Sequence, residues 1–268
     1  MRRPALIVVV VLAASATTAA AGPDGLVAAP TVIGVPTAWI QPAAAVHLSG
    51  DVDHRLGSGV RLTKSLGRLA EVDVASDDQV QRCNPCAGDT RATQGVQLVS
   101  GAFKLAAGED AWFRHQPAIA IGVRAPITSL DDAAVAARAT QAFAVASTTW
   151  GPVRLHLGAS AWATEHRGGD GATIHRGGLR AARPLAGLEW TPEIYPRTTL
   201  STDVQWLPEL GPTAAETAPR WLFAWGVRYR AFSWSAIELA VKHREGDSLS
   251  DATVTLRLSA RLGRGTRL

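Results

Sequence analysis

From Ala252 to Leu262 the chain alternates: Ala252, Val254, Leu256, Leu258, Ala260 and Leu262 are apolar, and Thr253, Thr255, Arg257, Ser259 and Arg261 are polar. Successive side chains of a β-strand point to opposite faces, so this stretch predicts one strand with an apolar face and a polar face. The same period recurs in AAAVHLSGDVD, GVRLTKSL, LAEVDVAS, GVQLVSGAFKL, PAIAIGVRAP, TQAFAVASTT, VRLHLGASAW, ARPLAGLEWT, TTLSTDVQWL, RWLFAWGVRYRAF and SAIELAVKHR. Together these make about twelve segments of about 8 to 11 residues, a length that crosses a bilayer at a tilt. No segment has a convincing 3.6-residue period. LDDAAVAARATQA, residues 130–142, reads equally as a helix or an alanine-rich loop. GVQLVSGAFKL loses its phase between Leu98 and Phe103, which predicts a bulge there.

The links sort by length. LGR, TWGP and FSW are brief, whereas QVQRCNPCAGDTRA, ITSLDDAAVAARA, EHRGGDGATIHRGGLRA and PELGPTAAETAP are long and polar or rich in Gly and Pro. A strict alternation of short and long links predicts an all-β, antiparallel up-and-down transmembrane β-barrel of about 12 strands, with turns at one end and loops at the other. An even strand count would put both termini at the turn end. Trp112, Trp150, Trp190 and Trp234 fall near the predicted turn ends, and Trp162, Trp206 and Trp221 near the loop ends. Two aromatic belts are expected at the two membrane interfaces. Trp162 and Trp234 break the parity of the outward residues, and a soluble β-protein with tryptophan core anchors is the competing reading.

In a membrane barrel the apolar face meets lipid and the polar face lines the lumen. That face carries Asp51, Asp53, Arg61, Glu71, Asp73, Arg124, Arg154, Glu189, Asp203, Arg228, Arg230, Glu238, Lys242, Arg257 and Arg261. Turned inward, opposite charges on neighbouring strands would form ion pairs that are costly unless matched. Eight strands leave an interior that side chains fill, and sixteen or more leave an aqueous channel. About twelve lie between, so either a closed lumen or a narrow passage is compatible.

MRRPALIVVVVLAASATTAAA has two arginines, a short apolar run and a small-residue end, the layout of a secretory leader cleaved after Ala21. The expected organisation is a signal peptide over 1–21, a Pro/Gly-rich segment over 22–42, a barrel over 43–262 and a tail over 263–268. The formal charge of +4 falls to about +2 without Arg2 and Arg3, which does not suggest nucleic-acid binding. Cys83 and Cys86 in QRCNPCAGD are candidates for a disulfide in an exported chain, with inert thiols as the alternative.

Little in the chain suggests catalysis. His47, Ser49 and Asp51 share one face of the first strand, but residues two apart on a strand are about 7 Å apart, too far for a relay. His166 and His175 lie in a Gly-rich stretch without fixed metal-ligand spacing. No phosphate-loop, H-E-x-x-H or calcium-loop motif occurs. No enzymatic activity, cofactor or metal is therefore expected.

GLVAAPTVIGVPTAWIQPAAAVHLSGDVD resembles the entry segment of a family of bacterial outer-membrane barrels associated with exopolysaccharide. The matching residues are Gly25-Leu26, Pro36-Thr37-Ala38 and Pro42, and RTTLSTDVQW and WLFAWGVRYRAFSWSAIELAVKHREGD are similar to that family's repeating hairpins. The resemblance implies a Gram-negative outer-membrane location and a role in polysaccharide export, secretion or envelope structure. A porin-like passive channel for small solutes is the alternative, and an outer-membrane lipid-modifying enzyme a more distant one. Expected partners are outer-membrane lipid and lipopolysaccharide, the barrel-insertion machinery and polysaccharide-export components. The chain departs from such barrels at its end: the last strand closes on Leu262 and GRGTRL follows, where an aromatic residue is usual.

Overall fold

A computed structural model describes residues 31–42, 45–53, 58–82, 94–127, 137–167, 174–210 and 218–262. The strands are β1 (Val46–Asp53), β2 (Ser58–Leu66), β3 (Ala70–Arg82), β4 (Gln94–Ala107), β5 (Ala118–Pro126) and β6 (Ala137–Trp150). They continue as β7 (Val153–Arg167), β8 (Ile174–Trp190), β9 (Thr198–Leu210), β10 (Ala218–Phe232), β11 (Ser235–Arg244) and β12 (Thr253–Leu262). Each pairs antiparallel with its neighbours in sequence, and β1 pairs with β12 from Val46↔Leu262 to Asp53↔Thr255, closing a twelve-stranded barrel.

Period-two alternation sorts the faces. Val60, Leu62, Val72, Val74, Phe103, Leu105, Ile121, Val123, Leu157 and Leu239 stand exposed on the outside, while Thr63, Ser65, Glu71, Gln141, Ser147, Glu189, Asp203 and Glu238 are buried inside. A water-soluble barrel has the reverse arrangement. An apolar exterior around a polar, charged interior is that of a transmembrane β-barrel.

The turn end is tight at the β2–β3, β6–β7 and β10–β11 connections, and in the first two Gly67 and Gly151 adopt φ of 79° and 56°, a region open to glycine. Link lengths do not alternate strictly. Residues 108–117, between β4 and β5, form a compact turn-end loop in which the Asp110 N–H donates to the Gln116 carbonyl at 3.1 Å. Only residues 54–57 separate β1 from β2 at the other end. The stretch around His166 and His175 is also less of a loop than its glycines predict: the ladder pairs His166 with His175, and strand continues on both sides. In residues 130–142, the helix reading fails over 137–142, which lie in β6; Ala139 and Gln141 are buried and Ala142 exposed, a strand period. The irregularity expected in β4 falls on β3, whose register against β4 shifts between Asp77 and Val80. The extra residue sits in the partner strand, and β4 runs on.

The tryptophans form one belt rather than two. Trp112, Trp150, Trp190 and Trp234 stand out at the turn end, Trp150 being 86% exposed. At the loop end Trp162 is buried facing inward, and Trp206 and Trp221 are half-buried.

One seam interrupts the wall. β8 pairs with β9 only from Ala186↔Val204 to Trp190↔Leu200. Two positions further on, the same register would set Pro184 against Trp206, and proline has no N–H to give the ladder. β8 also carries extra residues against β7, where the register shifts between Ser160 and Trp162. The Trp162 indole N–H reaches across and donates to the Trp206 carbonyl at 3.0 Å. Beyond this point β9 meets β3 in parallel, Gln81↔Glu209 and Arg82↔Leu210, although the two strands lie across the ring from each other. The strand ends thus meet over the loop-end mouth.

The Cys83–Cys86 pair, the leader, residues 22–30 and the 263–268 tail lie outside the described residues.

Candidate functional site

The lumen is neither open nor closed by side chains alone. Residues 31–42 run inside it, and from Thr31 to Ala38 all but Gly34 are buried. Pro36 and Pro42 lack N–H groups and disfavour ladder pairing, so the segment forms no extra strand. A single bridge, Thr31↔Pro36, and a bond from the Val32 N–H to the Val35 carbonyl at 2.9 Å fold its first part into a narrow turn.

An unladdered segment leaves backbone groups that must find partners once buried. Here charged wall residues supply them. Asp203 Oδ2 accepts the N–H groups of Ile33, Gly34 and Val35 at 2.9, 2.7 and 3.1 Å, a carboxyl oxygen held in a nest of consecutive amides. Arg228 donates to the Val32 carbonyl at 2.7 Å and Arg257 to the Ile33 carbonyl at 3.0 Å. Lys104 Nζ donates to the carbonyls of Thr37 and Trp39 at 3.3 and 2.8 Å. Ser147 Oγ accepts the Ala38 N–H at 2.9 Å, Glu71 accepts that of Gln41, and the Ser65 hydroxyl donates to the Pro42 carbonyl at 2.7 Å. The wall reads the backbone of this plug.

Apolar contacts complete the seat. Val35, Ala38, Trp39 and Ile40 pack on Ala106, Ala118, Ala120, Phe143, Val145 and Leu185, while Ile33 packs with Ala224 and Ala240. A Cβ on Gly187 would lie 2.8 Å from Val32 Cγ2, so the wall lacks a side chain where the plug passes.

The wall charges are matched among themselves as well. Arg228 joins Glu189 at 2.8 Å and Glu238 at 2.7 Å, and Arg257 joins Glu238 at 3.0 Å. Lys104 meets Glu71 at 2.6 Å, and Arg61 lies 3.6 Å from Asp73, which also accepts the Thr63 hydroxyl at 2.9 Å. Asp51 stands opposite Arg257 in the β1–β12 register, half-buried like Asp53 and Arg261. Arg61, Asp73 and Arg124 line a small cavity beside Thr31 and Pro36. Arg154, Glu189, Arg228 and Arg230 line a second recess at the turn end. Lys242 is half-buried on β11.

Sequence reasoning missed Lys104, Ser147 and His156. All three fall on the inward parity of their strands, which was the available signal. Ser147 Oγ lies 2.8 Å from His156 Nδ1, and His156 Nε2 lies 3.6 Å from Glu189 Oε2. This sequence of groups has the order of a nucleophilic relay. Yet Ser147 is engaged by the Ala38 N–H, and His156 is fully buried with the Trp39 ring edge-on at 4.8 Å. The relay seats the plug and is covered by it. No hydrogen bond joins His47 to Ser49 or Asp51, and among the described residues no cluster of three metal-ligating side chains occurs.

No protein-family model and no curated protein matches the chain. Among solved structures, it is similar to the outer membrane phospholipase A from Escherichia coli, at 8% identity over 84% of this chain and 98% of that one, with a TM-score of 0.41. It is also similar to a loop-deletion form of OmpT, an outer membrane protein of Vibrio cholerae, at 12% identity over 76% and 63% of the two chains and a TM-score of 0.39. The translocator domain of the autotransporter NalP from Neisseria meningitidis matches at 12% identity over 82% and 86%, with a TM-score of 0.35. The lumen residues, rather than these likenesses, carry the functional reading.

Proposed function

We propose that this chain is a Gram-negative outer-membrane barrel held closed at rest by its own residues 31–42, acting as a non-enzymatic envelope component rather than an open pore. The observation that carries this reading is the plug: wall side chains take up its backbone groups from Val32 to Pro42. An apolar exterior with tryptophans at the turn end supports the membrane location. Within this reading the barrel assists export of a surface polysaccharide. The support is local: Pro36-Thr37-Ala38 and Pro42, which carry the resemblance to exopolysaccharide-associated barrels, lie in the plug itself.

Planar-bilayer recording tests the closed state. The intact protein should show no steady conductance, and Gly187→Leu, which drives a side chain into the path of Val32, should produce one. Steady conductance from the unaltered protein would favour the passive-channel alternative. For the export role, cells lacking the protein should release less surface polysaccharide; an unchanged amount removes that part of the reading.

A further inference from the structure

The turn-end recess has a charge imbalance that the plug does not use. Its lining carries four guanidinium groups, Arg154, Arg197, Arg228 and Arg230, against one carboxylate, Glu189. Glu189 is already committed: Arg228 holds it at 2.8 Å, with Arg154 at 4.0 Å and His156 at 3.6 Å. Arg228 is likewise spent on Glu189, Glu238 and the Val32 carbonyl. Arg154 lies over the Trp39 ring, 5.1 Å from its centroid.

Arg197 and Arg230 are different. Arg230 donates to the Pro196 carbonyl at 3.2 Å, and neither forms a salt bridge to a carboxylate among the described residues. Arg197 sits in the β8–β9 link and Arg230 near the end of β10, and the Arg230 N–H donates to the Arg197 carbonyl at 2.8 Å, which fixes their spacing. Thr199 also lines the recess, its hydroxyl bonded to that of Thr191 at 2.9 Å. Other acidic groups at this end point elsewhere: Glu109 accepts the Thr149 N–H at 2.7 Å across the β6 end, and Glu193 is exposed in the link. Two guanidinium forks with no carboxylate of their own, at a shallow recess on the turn end, make a receptor for a planar or tetrahedral oxyanion.

We infer that the turn-end recess binds an oxyanion group, a carboxylate or phosphate, on a water-soluble molecule arriving from the turn side, with Arg197 and Arg230 as its ligands. This site stands whether or not the plug ever leaves the lumen, so its failure and that of the closed-barrel reading are separate results.

Calorimetric titration of the full folded barrel in zwitterionic micelles, at fixed ionic strength, tests it with inorganic phosphate, glucuronate and glucose. The expected result is saturable binding of at least one of the two anions and none of glucose, with affinity about tenfold or more weaker in Arg197→Gln/Arg230→Gln. Phosphate against glucuronate distinguishes a phosphorylated molecule from an acidic sugar. Arg197→Gln alone, in an exposed link, gives a smaller loss and guards against misfolding of the double variant, whose fold an unheated gel verifies. Failure of both anions to bind, glucose binding equal to theirs, or undiminished binding in both variants would overturn the inference.

Discussion

The β6–β7 and β8–β9 boundaries share one alternation of apolar and polar positions and pair differently. β6 and β7 pair without interruption from Ala137↔His166 to Trp150↔Val153, whereas β8 and β9 share only five pairs before they part. Both boundaries join strands that alternate outward apolar positions with polar lumen positions. Their hydrophobic patterns do not distinguish them. What differs is the backbone: Pro184 interrupts the donors of β8, and surplus residues in β8 against β7 carry the strand away from β9. Face patterning selects which side of a strand meets lipid; ladder continuity depends on which residues can give an N–H.

The lumen bonds that hold β9 in place despite its short ladder should matter most. Arg228→Met would leave Glu189 and Glu238 short of their shared partner and free the Val32 carbonyl, at a cost of about 3 to 5 kcal/mol, read as a lower unfolding midpoint in vesicles. Placing the interruption in the intact boundary is the converse: Ala146→Pro in β6 removes a donor from the continuous ladder and should destabilise by about 3 kcal/mol. If that variant unfolds at the same denaturant concentration as the unaltered barrel, the account of the seam is wrong. Asp203→Ala removes the acceptor of three plug amides on the seam strand itself; a loss of about 2 to 3 kcal/mol should accompany the onset of conductance. Trp162→Phe keeps the ring but loses the indole donor that bridges to β9, and should cost about 1 kcal/mol, with faster amide exchange confined to β8 and β9. Pro184→Ala should have the smallest effect, under about 1 kcal/mol, and slow exchange near Trp206 by restoring a ladder donor.

Period-two alternation made most of the wall legible, because each strand carries its own record of inside and outside. β12 illustrates it: Val254, Leu256 and Leu258 are exposed, and Thr255 is buried. Trp162 was legible in a less direct way. Its parity conflicts with an outward belt, and the structure resolves the conflict by turning it inward to the Trp206 carbonyl. The plug was not legible, since its order comes from partners far away in the chain. Ile33 and Asp203 are 170 positions apart, and Ile33 and Arg257 are 224 apart. No local period marks such a segment, and Pro36 and Pro42 read there as parts of an entry segment leading into the first strand, not of a plug. The seam was half legible: Pro184 is visible in ARPLAGLEWT, but a proline near the start of a predicted strand gives no sign that the ladder ends with it.

The lumen wall grips residues 32–42 through amides and carbonyls, which every amino acid except proline presents alike. Heritable change therefore falls unevenly on the two partners. Val32 or Val35 can be exchanged for residues of similar bulk without altering a polar contact, whereas Asp203, Lys104, Arg228 and Arg257 have no equivalents. Descendants of this chain can vary the stopper while keeping the socket.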